Sequence, residues 1–264
     1  MTLGGADASA DGRNRALLSL RGVERSFGKV QVLHDIDLDI GSNEIVALVG
    51  DNGAGKSTLI KVITGVHRPT SGEVWFKGER RTEHSVKRSR ELGIETVYQE
   101  RALADQQTLW RNMFAGRELV NRFGFIDVAA QKRSTSELLR GQIGFTSRAI
   151  TVDSEVKSLS GGEKQGIAIG RALYFNADLI ILDEPTMGLS LKETRRVLDF
   201  VRDIRREGKS AIFIDHNIFH VYDVCDRFVI LDRGRIEGDL RKDELSQQEL
   251  IDKMLALATK GHLD

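Results

Sequence analysis

The segment Gly50-Asp51-Asn52-Gly53-Ala54-Gly55-Lys56-Ser57-Thr58 constrains this chain more than any other. It fits the pattern G-x-x-x-x-G-K-[ST]. A continuous apolar run, Ile45 to Val49, comes before it, and a pattern that reads as a helix from Lys56 to about Thr64 comes after. An apolar run without polar alternation reads as a strand buried on both faces. Glycines let successive backbone N–H groups turn inward without Cβ clashes. Those donors, with the positive end of the following helix, cradle phosphate oxygens. In that geometry Lys56 reaches the β- and γ-phosphates and the Ser57 hydroxyl ligates Mg²⁺. The bland alternative is a glycine-rich turn carrying a surface lysine. The strand-then-helix context favours phosphate.

Three more short apolar runs, at 179–183, 210–215 and 228–231, read as strands, and helical patterns separate the first two. Alternating buried strands and helices imply a mostly parallel α/β core. Ligands gather at the carboxyl ends of such strands. The run at 179–183 ends in Asp183-Glu184. Asp183 is therefore expected near the Mg²⁺ that Ser57 holds, and Glu184 is placed to orient or deprotonate an attacking water.

Residues 17–23 and 36–40 also read as strands. The second alternates Ile36, Leu38 and Ile40 with Asp35, Asp37 and Asp39, as in a sheet with one wet face. The clearest helix spans 191–206, with Thr194, Val197, Leu198, Val201 and Ile204 at helical spacing and Ser190 and Glu193 as a capping box. Between about 100 and 158 the buried-strand signal disappears. A helix at 127–140 with Asp127 as N-cap makes this block the candidate inserted helical subdomain.

Composition excludes several classes. The 264 residues carry 39 Lys+Arg against 39 Asp+Glu, and a zero balance argues weakly against a nucleic-acid-binding protein. The single cysteine, Cys225, excludes an intramolecular disulfide framework and a multi-cysteine metal site. His216 and His220 stand four apart but lack the HExxH pattern of a zinc site. No run approaches the ~20 apolar residues of a membrane span. The small, polar stretch 1–16 reads as a flexible tail.

Leu159-Ser160-Gly161-Gly162-Glu163 stands ahead of the acidic pair and leads into a helical run. With the glycine-rich loop and Asp183-Glu184, it resembles the signature of the ATP-binding subunit of ABC transporters. The resemblance covers about 17–238. It implies a P-loop NTPase of α/β class, with a RecA-like mostly parallel core, an N-terminal antiparallel β subdomain and an inserted helical subdomain. The implied organisation is a core at 17–99 and 159–245, the insert at 100–158, and a C-terminal helix or tail at 246–264.

The resemblance also assigns residues. Gln99 matches the glutamine that joins the metal site to the helical subdomain, His216 the histidine that contacts the γ-phosphate, and Phe27 the aromatic that stacks on adenine. Ser160, Gly161, Gly162 and Glu163 are expected to close over the ATP of a second copy, in a head-to-tail dimer. Two positions depart from the usual pattern. Ser190 stands where many members have Asp. Asp215 precedes His216 where a small hydroxyl residue is common, and its carboxylate is expected to favour protonated His216.

The implied cofactors are ATP and Mg²⁺. The implied partners are a second copy and a separate membrane permease, with a sugar-binding protein acting indirectly, which places the chain at the cytoplasmic face of the membrane. Segments 94–99 and 112–118 and the pair His216-Asn217 resemble importers of ribose-, xylose- and fructose-type sugars. A single ATPase domain resembles the fructose-type arrangement. A soluble ABC-type ATPase with no transport role is the alternative. A P-loop kinase fits poorly with the LSGG segment and His216, and a weakly hydrolysing regulatory subunit fits poorly with Glu184.

Overall fold

The computed structural model describes residues 16–97, 103–141 and 150–260. Strands β1 (Ala16–Phe27) and β2 (Val30–Gly41) form an antiparallel hairpin whose two-residue turn uses Gly28 at φ 60. β2 buries Leu33, Ile36, Leu38 and Ile40 and leaves Asp35 and Asp37 in solvent. A bulge at Asp35, φ 50, resets the alternation between Leu33 and Ile36. Strand β3 (Ile45–Val49) is buried along its whole length and runs into the glycine-rich loop and helix α1 (Lys56–Ile63).

The chain continues through β4 (Ser71–Phe76), β5 (Glu79–Arg80), α2 (Val86–Leu92) and β6 (Ile94–Val97). Gln99 lies outside the described residues. Two helices follow, α3 (Leu109–Phe114) and α4 (Val128–Gly141). Asp127 caps α4 by accepting the Ala130 N–H at 2.8 Å. Asn112, itself buried, pins the approach to α3 by accepting from the Ala104 N–H at 2.7 Å and donating to the Ala104 carbonyl. The remaining elements are α5 (Gly161–Tyr174), β7 (Leu179–Asp183), α6 (Leu191–Arg206), β8 (Ser210–Ile214), α7 (Ile218–Val224), β9 (Arg227–Asp232), β10 (Arg235–Arg241) and α8 (Gln247–Lys260).

Two sheets result. One is antiparallel, in the order β2-β1-β4-β5. The other has the order β10-β9-β3-β8-β7-β6 and is parallel except for β10 at its edge. The parallel strands are apolar on both faces because two cores enclose them. Ile45, Ala47 and Val49 of β3 face the core shared with the helices, and Val46 and Leu48 face the core shared with the first sheet. β7 divides in the same way, with Ile180 and Leu182 on one side and Leu179 and Ile181 on the other. Each Val, Leu and Ile side chain among them contributes about 1.5–3 kcal/mol on burial, so these strands form a stiff frame.

Arg227 locks the two sheets together. Its guanidinium reaches Glu44 at 2.7 Å, Asp239 at 2.7 Å and the Asp39 carbonyl at 2.6 Å. Burial opposes the charge on Glu44. The Arg227 hydrogen bond and the Gly41 N–H overcome it and hold the carboxyl below its ordinary range.

The topology has one decisive consequence for function. β3, β8 and β7 are neighbours and point the same way, so the segments that leave them emerge side by side at one edge. Those segments are the glycine-rich loop, Asp215-His216 and Asp183-Glu184.

Candidate functional site

The glycine-rich loop begins at Gly50, φ 150, where a Cβ would stand 2.0 Å from the Leu231 carbonyl oxygen. Only glycine fits that close approach. Gly55, φ 107, is the N-cap of α1 and offers no side-chain cap, so the first N–H groups of the helix stay available. Lys56 Nζ donates to the Gly50 carbonyl at 2.6 Å and to the Asp51 carbonyl at 3.0 Å, so the lysine arches over its own loop. Burial disfavours the charged form and lowers its pKa, and the charges of Glu184, Asp51 and Asp183 oppose that shift.

Asp183 ends β7. Burial raises its pKa, the adjacent Glu184 charge adds to the rise, and Lys56 opposes it. Glu184 stands at φ 50, immediately before Pro185. Residues before proline are normally extended. A non-glycine residue at positive φ costs of order 1–3 kcal/mol, so the surroundings must hold it. The Glu184 N–H donates to the Ile214 carbonyl at 2.9 Å, which ties the end of β7 to the end of β8. The Glu184 carboxylate meets His216 Nε2 at 2.8 Å. The acid and the histidine that the sequence placed on separate strands therefore stand in direct contact.

Asp215 does not engage His216 in the way its adjacency suggested. Its carboxylate accepts from the Thr186 hydroxyl and from the Asn217 N–H at 2.8 Å, and it lies 3.5 Å from His220 Nδ1. The carboxylate that contacts His216 is Glu184, not its chain neighbour.

The Leu159–Glu163 segment opens α5. The Ser160 hydroxyl accepts the Glu163 N–H at 3.3 Å, and the Glu163 carboxylate accepts the Ser160 N–H at 2.9 Å, a closed capping box. A second carboxylate also arrives, from a distant helix. Glu193, from the first turn of α6, accepts the Gly162 N–H at 3.3 Å and the Ser190 hydroxyl at 2.7 Å. The Ser190 side-chain and backbone hydrogen bonds, then the Gly162 N–H and the Ser160 side chain, hold its pKa down to about 2. Ser190 preserves the cap, as Ser in place of Asp should.

Phe27 closes β1 and is 41% exposed. The Arg25 guanidinium covers one face at 4.4 Å from the ring centroid, and the His67 ring meets it edge-on at 5.1 Å. The signal for Glu193, the S-x-x-E box, was visible in the sequence. Its contact with Gly162 was not, because 31 residues separate the two.

The donor set suits a nucleoside triphosphate with Mg²⁺. Lys56 is half-buried and satisfied only by carbonyls, so an anion restores its preference for charge. Asp183 is disfavoured as a carboxylate, and a dication reverses that. No group of three or more His, Cys, Asp or Glu side chains converges among the described residues. Mg²⁺ that keeps its waters and phosphate oxygens needs only one or two protein ligands.

The ABC transporter family model matches residues 33–187. A xylose/arabinose import ATP-binding protein from Sulfolobus acidocaldarius is 40% identical over 243 residues, 92% of this chain and 95% of that protein. The chain belongs to the ABC transporter family. It is an ATP-binding subunit and an ATPase, with ATP and Mg²⁺ as its cofactors. A fructose import ATP-binding protein of Rhizobium meliloti is 39% identical over 83% of this chain and 86% of the relative. A ribose import ATP-binding protein of Caldanaerobacter subterraneus is 34% identical over 93% of this chain, which spans only 49% of that relative. Among solved structures, the ATP-binding subunit of an ABC transporter superposes with a TM-score of 0.72 at 26% identity, over 90% of this chain and 99% of the other. A nucleotide-free ATP-binding cassette superposes at 0.75 over 91% of this chain and 95% of the other, at 22% identity, a likeness of fold. Both agree with the P-loop NTPase fold, its N-terminal antiparallel sheet and its helical subdomain.

Proposed function

We propose that this chain powers uptake of a simple sugar through a separate membrane permease, by binding and hydrolysing ATP between two copies of itself. The observation that carries the catalytic part is the 2.8 Å contact between Glu184 and His216 at the strand edge that also carries the glycine-rich loop. The sugar assignment rests on the near-full-length xylose/arabinose and fructose import relatives.

In this reading Gly50, Asp51, Asn52, Gly53, Ala54 and Gly55 wrap the phosphates with backbone N–H groups, with Thr58 behind them in the first turn of α1. Lys56 leaves its two loop carbonyls to contact the β- and γ-phosphates. ATP with Mg²⁺ supplies the transferable γ-phosphoryl group and an electrophilic phosphorus when bound. Ser57, Asp183 and Gln99 hold the metal side. Phe27 offers its open ring face to adenine. Glu184 accepts a hydrogen bond from the attacking water and takes its proton. His216, whose Nε2 lies 2.8 Å from the Glu184 carboxylate, fixes that carboxylate and reaches the γ-phosphate. Ser160, Gly161, Gly162 and Glu163 close on the ATP of the second copy, related by a two-fold axis.

Among the described residues no helix is long and apolar enough to cross a membrane, and this reading gives the translocation path to a separate permease. We assign the permease contact to the block 100–158, at the cytoplasmic face of the membrane. Phe123, Phe125 and Ile126 stand exposed there, at the tip of a turn closed by the Val120–Ile126 bridge. That tip adjoins a groove of about 400 Å³ lined by Trp110, Phe114 and Ile126.

Gentle affinity purification from membranes, followed by reconstitution and an ATPase assay with a panel of pentoses and hexoses, tests the reading. The expected result is a co-purifying permease and stimulation by one sugar class. Recovery of ribosomes with no membrane protein, and no sugar response, would favour the soluble alternative.

A further inference from the structure

Asp215 has a side chain only 7% exposed, and its hydrogen bonds go to Thr186 and Asn217, not to the glycine-rich loop or His216. A buried carboxylate outside the reacting groups needs a reason. Its bonds supply one. The Thr186 hydroxyl donates to one oxygen, and the Asn217 N–H donates to the other at 2.8 Å. His220 closes the ring. Its Nδ1 lies 3.3 Å from the Thr186 hydroxyl, and its Nε2 lies 3.2 Å from the Asn217 amide. Asn217 in turn caps α7 by accepting the Phe219 N–H at 2.9 Å.

This cluster joins the two loops that carry the reacting pair. Thr186 follows Glu184 by two positions, and Asp215 immediately precedes His216. Glu184 is held at φ 50 before a proline, a conformation its own sequence does not favour. Its N–H is anchored on the Ile214 carbonyl, and its own carbonyl accepts the Met187 N–H at 3.3 Å. Those bonds, with the Leu189 N–H on the Thr186 carbonyl at 3.3 Å, hold the backbone of the Glu184 loop. The Thr186–Asp215 bond ties the same loop, through a side chain, to the segment that precedes α7.

We propose that Thr186, Asp215 and His220 are positioning residues that clamp the loop after β7 to the loop before α7, and so hold Glu184 and His216 in contact for hydrolysis. The inference rests on the roles proposed above for Glu184 and His216. None of the three is among the residues assigned above to the nucleotide, so the clamp is expected to act on turnover and to leave ground-state binding alone.

The test is steady-state ATPase kinetics with separate measurement of ATP binding to the Thr186→Val, Thr186→Ser, Asp215→Ala and Asp215→Asn variants. Thr186→Val is nearly isosteric and removes the donor, and its melting temperature is measured alongside. It and Asp215→Ala are expected to lower kcat at least about tenfold, with KM and Kd for ATP within about threefold, since a small misplacement of a reacting group has effects of that size. Thr186→Ser restores the hydroxyl and is expected to recover most of kcat. Asp215→Asn keeps one acceptor and falls between. The Thr186→Val/Asp215→Ala double variant is expected to be no worse than the poorer single, because the two act as a unit. Unchanged kcat in Thr186→Val overturns the clamp. So does a loss in which kcat, ATP binding and melting temperature fall together without recovery in Thr186→Ser. Glu184→Gln is the control. If it hydrolyses ATP normally, the underlying assignment fails. If it is inactive while the clamp variants turn over fully, only the clamp fails.

Discussion

The chain holds two glycine-rich segments at the start of helices, and they use glycine for different reasons. In the Gly50–Gly55 loop the limit is the backbone. Gly50, Gly53 and Gly55 all have positive φ, and a Cβ on Gly50 would strike the Leu231 carbonyl, while one on Gly53 meets open space. In the signature segment the limit is side-chain room. Neither Gly161 nor Gly162 has positive φ. A Cβ on Gly161 would come within 2.5 Å of Leu189 Cδ2, and one on Gly162 within 2.9 Å of Glu193 Cβ. The first segment is shaped for a ligand of its own chain. The second is shaped by Leu189 and Glu193, from the loop after the acidic pair and the helix it leads into, so in the proposed dimer those two elements set the surface offered to a second copy.

That contrast can be broken by substitution. The largest effect is expected from Gly50→Ala, whose clash is with backbone and has no flexible neighbour to absorb it. ATP binding measured by calorimetry should be lost, and binding within threefold of wild type would refute the close approach. Gly161→Ala comes next. Here turnover should fall at least about tenfold while ATP binding to the isolated subunit stays intact, and Leu189→Ala should restore turnover in the double variant. Failure of that rescue would mean that Gly161 is needed for the ligand and not for Leu189. A smaller effect is expected from Gly53→Ala, which meets no atom but strains the backbone by about 1 kcal/mol, a loss of about fivefold in ATP affinity.

The smallest effect concerns Glu193. Its carboxyl pKa is depressed to about 2 from the ordinary 4.5, so its stabilisation of the α5–α6 contact is complete above about 4.5 and disappears as pH falls toward 2. Solvent screening reduces the worth of this part-exposed group to about 1 kcal/mol. Wild type and Glu193→Gln should therefore differ in denaturant midpoint at pH 7 and converge as pH is lowered. A difference that persists at pH 2 would assign the effect to packing.

Much of this was legible in the chain because it is local. β3, β7 and α6 announce themselves by continuous apolar runs and helical spacing, and Ser190 and Asp127 by their capping position. The parallel order that gathers Lys56, Asp183, Glu184 and His216 at one edge follows from strand–helix alternation. What escaped is long-range. Thr186 and Asp215 lie 29 residues apart, and nothing local in either predicts their bond. The positive φ of Glu184 contradicts the preference of a residue before proline, and tertiary contacts impose it. Adjacency in sequence suggests that Asp215 acts on His216, but successive residues at a strand end point in different directions.

The central claim is that the glycine-rich loop of one copy and the Ser160–Glu163 segment of another form one ATP site, with Glu184 as its base. Sedimentation of the Glu184→Gln variant with ATP and with ADP tests it most directly. The account predicts a stable dimer with ATP and a monomer with ADP, with no hydrolysis in either sample. A Glu184→Gln protein that stays monomeric at saturating ATP, or that hydrolyses ATP at the wild-type rate, would contradict it.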